Sequence, residues 1–323
     1  MGNLIKDIEV TGSSVTQVDL TGLDIQKGEL YEMVFTLAKN ASGVAVIGLY
    51  ANDNTTNTNY HLQTLGVNGT NIGAHRFNSN GIIVGQTTKG SYSKTYVKLT
   101  NDGHIVFLNK DIRYHDSTAP EIVLNYLTSA FTASSITKIN LKSQIANGIG
   151  VGSRIQLYKV AEKVDEVIVA GSSVTQVDFT GLDIGKDNEY MLVSDWTKPS
   201  SGSANLRIYI NDNTTSTNYY LQGLLALSTT VAGFRGNHSE LVGIDNTRPN
   251  AFSIAKLKLA NSGYFNVQVD NIENMTSSGS DIYIMKKRIS STFTISSITK
   301  LSIVASVASY ISIGSRFELY KLI

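Results

Sequence analysis

A chain of 323 residues is long enough for two domains, each able to bury a core of its own. Only 16% of residues are charged, and 27 Lys plus Arg offset 26 Asp plus Glu, so there is no basic excess to draw nucleic acid or an anionic membrane. Cysteine is absent, which excludes disulfides, thiolate metal sites and thiol catalysis.

The opening "MGNLIKDIEV" has no long apolar core and carries Lys6 and Asp7 early, unlike a secretory signal. Lys6 also stands where a myristoylation motif wants Ser or Thr, and no apolar run is long enough to cross a bilayer. The expectation is a soluble protein made in a cytoplasm. Period-two alternation then predicts strands over 5–10, 15–20, 31–38, 44–51, 60–66, 81–86, 92–99, 105–109, 122–127 and 136–141. The last strand is "SRIQLYKV", in which Ile155 and Leu157 share one face while Arg154, Gln156 and Tyr158 share the other. "TGLD" after the second strand predicts a turn, and Asn101-Asp102-Gly103 predicts a hairpin between 92–99 and 105–109. No segment has a sustained helical period with caps, and the three prolines (Pro120, Pro199, Pro249) fall near loops.

The second half of the chain repeats the first. "GSSVTQVDLTGLDI" from Gly12 returns as "GSSVTQVDFTGLDI" from Gly171, an offset of 159 that also relates "NDNTTNTNY" from Asn52 to "NDNTTSTNY" from Asn211. The offset is 160 where "VKLTNDG" meets "LKLANSG", and 162 where "SSITKI" meets "SSITKL" and "GSRIQLYK" meets "GSRFELYK". So long a period makes each copy a complete domain rather than a solenoid unit. The boundary is expected in "AEKVDE" (161–166), giving domains 1–160 and 161–323. In the second copy "AKLKLANSGYFNVQVD" repeats the hairpin signal, with Leu257, Leu259, Phe265, Val267 and Val269 alternating with polar residues. The fold class is all-β: two tandem antiparallel β-sandwiches.

Four sets of residues invite a chemical reading. Asn52, Asp53 and Asn54, with Asn211, Asp212 and Asn213, could offer oxygens to calcium or to a sugar, making these candidate interaction loops. A single carboxylate is a weak calcium site, however, and the favoured expectation is an Asx-type loop that hydrogen-bonds its own backbone. Asp19 with Asp24, and Asp178 with Asp183, are carboxylate pairs of the kind that flank a glycosidic bond at about 5 to 9 Å. They merely bracket "TGLD", so the expectation is a turn held by Asp24 or Asp183. Histidine offers no shared site: His61 and His104 face Tyr220 and Tyr264 in the second copy, His75, His115 and His238 have no histidine counterpart, and no metal-binding spacing or Gly-x-Ser-x-Gly elbow exists. Arg154 with Tyr158, and Arg316 with Tyr320, could form a recognition surface, but a structural role closing the sandwich is favoured, with the tyrosine hydroxyl on a backbone group. No cofactor and no metal is expected.

The segments "GSSVTQVDFTGLDIGKDNEYMLV", "IYINDNTTSTNYYLQ" and "IGSRFELYKL" carry a resemblance: the chain resembles the β-sandwich, jelly-roll-like modules of tailed-bacteriophage virion structural proteins, found in head fibres, capsid decorations and tail or tail-fibre components. The likeness spans both copies, with Lys159 and Lys321 where such modules often have glycine, and the tandem duplication departs from the commoner single copy. It implies a non-enzymatic virion component that meets other virion proteins and copies of itself, without nucleic acid or membrane. The alternative is a receptor-binding protein that contacts a host glycan through its divergent loops, 68–80 and 228–239. A polysaccharide depolymerase is a third, weaker possibility.

Overall fold

Alternating sequence becomes strand wherever one face can be covered. The computed structural model describes residues 2–38, 45–68, 71–78, 82–87, 90–100, 102–114, 120–160, 163–186, 188–199, 202–227, 230–244, 250–273 and 283–322. It divides the chain into two units, Met1–Val160 and Ala161–Ile323. The first unit holds β1 (Asn3–Glu9), β2 (Gln17–Ile25), β3 (Leu30–Leu37), β4 (Ala45–Ala51), β5 (Tyr60–Asn68), β6 (Asn71–Asn78), β7 (Ile82–Thr87), β8 (Ser91–Leu99), β9 (His104–Tyr114), β10 (Pro120–Thr132), β11 (Ile136–Ser143) and β12 (Arg154–Lys159). The second holds β13 (Lys163–Ile168), β14 (Gln176–Ile184), β15 (Glu189–Thr197), β16 (Ala204–Ile210), β17 (Tyr219–Leu227), β18 (Thr230–Gly236), β19 (Glu240–Ile244), β20 (Asn250–Leu259), β21 (Tyr264–Glu273), β22 (Tyr283–Thr294), β23 (Ile298–Ala305) and β24 (Arg316–Lys321).

The first unit pairs its strands in two antiparallel sheets, ordered β1-β12-β3-β8-β9-β10-β5-β6 and β2-β11-β4-β7. Leaving aside β5-β6 and β9-β10, the remaining strands pair concentrically: β1 with β12, β2 with β11, β3 with β8 and β4 with β7. That pattern is one long hairpin rolled into two facing four-stranded sheets, which is the jelly roll. Hairpins β5-β6 and β9-β10 are insertions that widen one sheet to eight strands. The second unit repeats the plan, pairing β13 with β24, β14 with β23, β15 with β20 and β16 with β19, and inserting β17-β18 and β21-β22.

Between the sheets of the first unit lie Leu20, Ile25, Met33, Phe35, Phe107 and Ile155, all buried. The second unit buries Phe179, Leu192, Trp196, Leu206, Phe265 and Phe317 in the same layer. Rings move between the copies: Leu20, Ile105 and Ile155 become Phe179, Phe265 and Phe317, whereas Phe35 and Phe107 become Ser194 and Val267. Cores tolerate such exchanges when total volume is kept.

Two sequence expectations need correction. "TGLD" is not a turn, because β2 and β14 run through it; pairing with β11 slips between Ile136 and Lys138, and Gly22 sits at φ +66°. The glycine lets the strand bulge without ending, and Leu23 and Ile25 return to the core beyond it. The expected loops 68–80 and 228–239 contain strands β6 and β18, each at a sheet edge, where polar sequence is usual and alternation is weak. Within the segment 161–166, strand β13 begins at Lys163. Val44, residues 69–70, 79–81, Asn101, His115, residues 161–162, 228–229 and Pro249 lie outside the described residues.

Candidate functional site

The segments that match between copies converge. Asn52 and Asp53 take left-handed φ of 52° and 57°, and Asn54 N–H donates to the Ala51 carbonyl at 3.0 Å, so β4 leaves through a type I′ turn. Asparagine suits that conformation, and its side chain is then aimed across the sheet. Asn52 Oδ1 accepts from Thr137 N at 2.9 Å, and Asn52 Nδ2 donates to the Ser135 carbonyl at 2.9 Å. Asn211 makes the same bonds to Thr299 N (2.8 Å) and the Ser297 carbonyl (2.9 Å). Asn52 and Asp53 thus meet the "SSITK" segment and Asn140, 83 or more residues onward, whereas Asn54 Oδ1 accepts from Thr56 N–H at 3.4 Å as an Asx-type loop does. Asn54 alone acts locally, its Oδ1 accepting from Asn59 Nδ2 at 2.8 Å.

Asp53 turns towards the outer face of the four-stranded sheet. Lys138 Nζ stands 2.8 Å from Asp53 Oδ1 and 3.0 Å from Asp19 Oδ2, and Asn140 Nδ2 donates to both carboxylates at 2.9 and 2.8 Å. The second unit repeats the triad, with Lys300 2.7 Å from Asp212 and 3.3 Å from Asp178. Hydrogen bonds from Lys138 and Asn140 hold the Asp53 carboxyl below its ordinary value. Burial alone would raise Asp19, but donors from Gln17, Asn140 and Lys138 outweigh it and the carboxyl is held low. These carboxylates already have cations and donors within the protein. Among the described residues no three acid or histidine side chains gather into a metal site. Asp24, meanwhile, meets the Gln26 amide and does not hold a turn, so Asp19 and Asp24 answer to different partners.

A buried tyrosine fixes each loop from below. Ala51 N–H donates to Tyr60 Oη at 3.1 Å, and the Tyr60 ring meets Tyr50 and Phe131 edge to face. Tyr219 receives Ile210 N–H at 3.1 Å and donates to the Asn213 carbonyl at 3.0 Å, between Tyr209 and Phe293.

Arg154 lies on β12 opposite the edge strand β1, and its Nε donates to Asp7 Oδ1 at 2.9 Å in a two-pronged pair. That contact holds the Asp7 carboxyl low. Arg316 pairs with Glu166 of β13, the residue equivalent to Asp7, and lies 3.0 Å from Glu318. Tyr158 is half-buried, while Tyr320 is buried beside the Glu318 carboxylate; desolvation and that charge raise its hydroxyl well above the usual range.

One cleft belongs to the second copy. It measures about 580 Å³ and crosses three neighbouring strands of the wide sheet, β18, β17 and β22. Register sets Arg235 and Arg288 on either side of Gln222, and Gly233 and Lys286 on either side of Leu224. Alternation puts all of these on the face opposite Leu221 and Ile289, which are core. The row between them runs Phe234, Gly223, Lys287, and there the Phe234 ring lies across Gly223 on the core side, filling the space where a Cβ would stand. Lys287 is fully buried, bonded to Glu240 at 2.7 Å and 5.8 Å from the Phe234 ring. Lys286 lies 3.6 Å from Asp270. Among the described residues Arg235 and Arg288 have no acid partner, and both are exposed. In the first copy the positions of Lys286, Lys287 and Arg288 are Leu124, Asn125 and Tyr126. The sequence difference that marks this cleft, "KKR" against "LNY", lies on a strand rather than in the divergent segments 68–80 and 228–239.

No protein-family model and no curated protein matches this sequence. Among solved structures the chain is similar to the mouse laminin α1 chain, domains LG4-5, at 11% identity, covering 98% of this chain and 89% of that one with a TM-score of 0.20. It is also similar to the botulinum neurotoxin serotype G binding domain, at 9% identity, 95% coverage of both chains and a TM-score of 0.15. Neisserial surface protein A aligns at 6% identity over 82% of this chain and 97% of that one, with a TM-score of 0.13. Likenesses this weak carry no argument about ligand or partner, and the fold rests on the strand pairing described above.

Proposed function

We propose that the chain is a non-enzymatic virion structural protein of a tailed phage, a capsid- or tail-associated assembly, decoration or fibre component that acts through contacts with other virion proteins and with copies of itself. The observation that carries this reading is the fate of the residues shared by the two copies. Asn52, Asp53, Asp19 and Lys138, like Asn211, Asp212, Asp178 and Lys300, are engaged in binding loop to sheet. An enzyme duplicated in tandem would be expected to keep a nucleophile, base or metal set in at least one unit, free to face substrate. The phage assignment rests further on the resemblance carried by "GSRFELYK" and its companions. Two homologous jelly rolls in one chain offer two related contact surfaces, which suits a part that bridges non-identical positions in an assembly.

Mass spectrometry of purified particles of the encoding phage, with antibody labelling of intact particles, tests the reading. Fixed stoichiometric incorporation and a labelled position on head or tail are expected. Absence from purified particles overturns the proposal, and so does release of reducing ends from a host polysaccharide by the purified chain.

A further inference from the structure

We propose that the cleft over β18, β17 and β22 binds an acidic saccharide and holds its carboxylate or sulfate between Arg235 and Arg288. This goes beyond assembly, since it gives the second unit a ligand that the first does not share. The two arginines stand one strand to each side of β17, so their Cα atoms are about 10 Å apart, two strand spacings. Extended side chains on one face can converge from there on a single anion, and the guanidinium fork matches a two-oxygen acceptor. The neighbouring lysines do not spread the charge, because Lys287 is bonded to Glu240 beneath the sheet and Lys286 stands beside Asp270. What remains exposed is a focal pair of arginines with the Gln222 amide between them.

The rest of the cleft suits a sugar better than a nucleic acid or an acidic peptide. Gly233, paired with Leu224, adds no side chain to this face, and Leu224, 39% exposed, offers an apolar patch for the C–H face of a ring. A volume of about 580 Å³ lies within the range of small-ligand pockets. Stacking of bases would require exposed aromatic faces, whereas the lone aromatic of the cleft, Phe234, packs beneath Gly223 on the core side.

The duplication supplies an internal control. The first unit keeps the glutamine–arginine register, Gln63 opposite Arg76, but carries Tyr126 where the second has Arg288. One arginine of the pair is missing there, so that unit is expected not to bind.

Titration calorimetry on the full chain at about 0.15 M salt can use three probes: a heparin-derived hexasaccharide, a polyuronate hexamer and a neutral dextran oligomer of equal length. Saturable binding of at least one acidic oligomer, and none of dextran, is expected; which oligomer binds assigns sulfate or carboxylate. The double variant R235Q/R288Q should weaken that binding by at least about tenfold, while R76Q leaves it unchanged. Both arginines are exposed, and an unchanged melting midpoint with unchanged Trp196 emission verifies that the variant is folded. The inference is overturned if neither acidic oligomer binds, if dextran binds as well, if the double variant keeps full affinity, or if a DNA oligonucleotide displaces the sugar at lower concentration. None of these outcomes touches virion incorporation, which is measured on particles.

Discussion

Replacing Asn211 by alanine perturbs one residue that both makes a turn and joins it to a distant strand. Its φ of 48° is left-handed, which for a residue with a plain Cβ costs about 1 to 2 kcal/mol. Its side chain also receives Thr299 N–H at 2.8 Å and donates to the Ser297 carbonyl at 2.9 Å. The site is half-exposed, so water can replace these partners, and each bond is worth about 1 kcal/mol rather than the larger figure of a buried orphan. Together Asn211→Ala should destabilise by about 3 kcal/mol. Asn211→Gly loses the same bonds and escapes the strain but adds freedom to the unfolded chain, so it should be milder by about 0.5 to 1 kcal/mol. Asn211→Asp keeps the acceptor and tolerates the turn, losing chiefly the donor to Ser297, for about 1 kcal/mol. Urea unfolding followed by Trp196 emission is the assay, because the chain's single tryptophan is buried in the same unit, with its indole N–H on the Tyr310 carbonyl at 3.1 Å. With a slope of about 2 kcal/mol per molar urea, the alanine variant should move the midpoint down by about 1.5 M. The reasoning fails if alanine is within about 1 kcal/mol of the parent, or if it is no worse than glycine.

Three further outcomes follow from the same contacts. Asp19 and Asp53 have lowered folded-state pKa values, so the stability they contribute is complete above the ordinary value near 3.8 and is lost as pH falls through the lowered ones; Lys138→Met should therefore cost most near neutral pH and nothing measurable at strongly acidic pH, giving a shallower acid limb in pH-dependent melting. Lys138 itself is raised by its two carboxylates, so its share persists below the ordinary value near 10.5 and disappears as pH rises through the folded one. Tyr219→Phe keeps the ring between Tyr209 and Phe293 but strips Ile210 N–H and the Asn213 carbonyl of their partner, for about 2 kcal/mol by chemical denaturation. Gly22→Ala meets open space yet must hold φ +66°, so it should cost about 1 to 2 kcal/mol with no packing defect, and Gly22→Asn less.

The fold class was legible because both sheets bury a single face against the core, and burial of one face writes period two into the sequence. Alternation does not mark the strands that leave that regime. The middle of β10 has Leu124, Asn125, Tyr126 and Leu127 buried in succession, so alternation stops marking its limits, and the strand runs from Pro120 to Thr132 where 122–127 was expected. Within "TGLD" the pattern appeared to end because a bulge inserts residues without ending the strand. For the site, residue types were legible and their meeting was not. Nothing in spacing announces that Lys138 will stand between Asp19 and Asp53, 119 and 85 positions away. Only the retention of all three in the second copy, as Lys300, Asp178 and Asp212, hints at a common task.

Coupling explains which letters the copies still share. A residue that serves two partners cannot change alone: losing Lys138 would leave two carboxylates without their cation, and losing Asn52 would unseat both a turn and the start of β11. Asn140 is the exception that defines the rule, for its counterpart Ser302 still donates to Asp178, so the bond survives a change of residue. The outer face of β22 carries no such mutual obligation at Arg288, where the other copy has Tyr126 at the same register, opposite Gln63 as Arg288 is opposite Gln222. The copies thus differ on the outer face of β22 as they do in their core rings, while the letters they keep are those of the coupled loop and sheet; an exposed arginine at position 288 is a feature of the second copy.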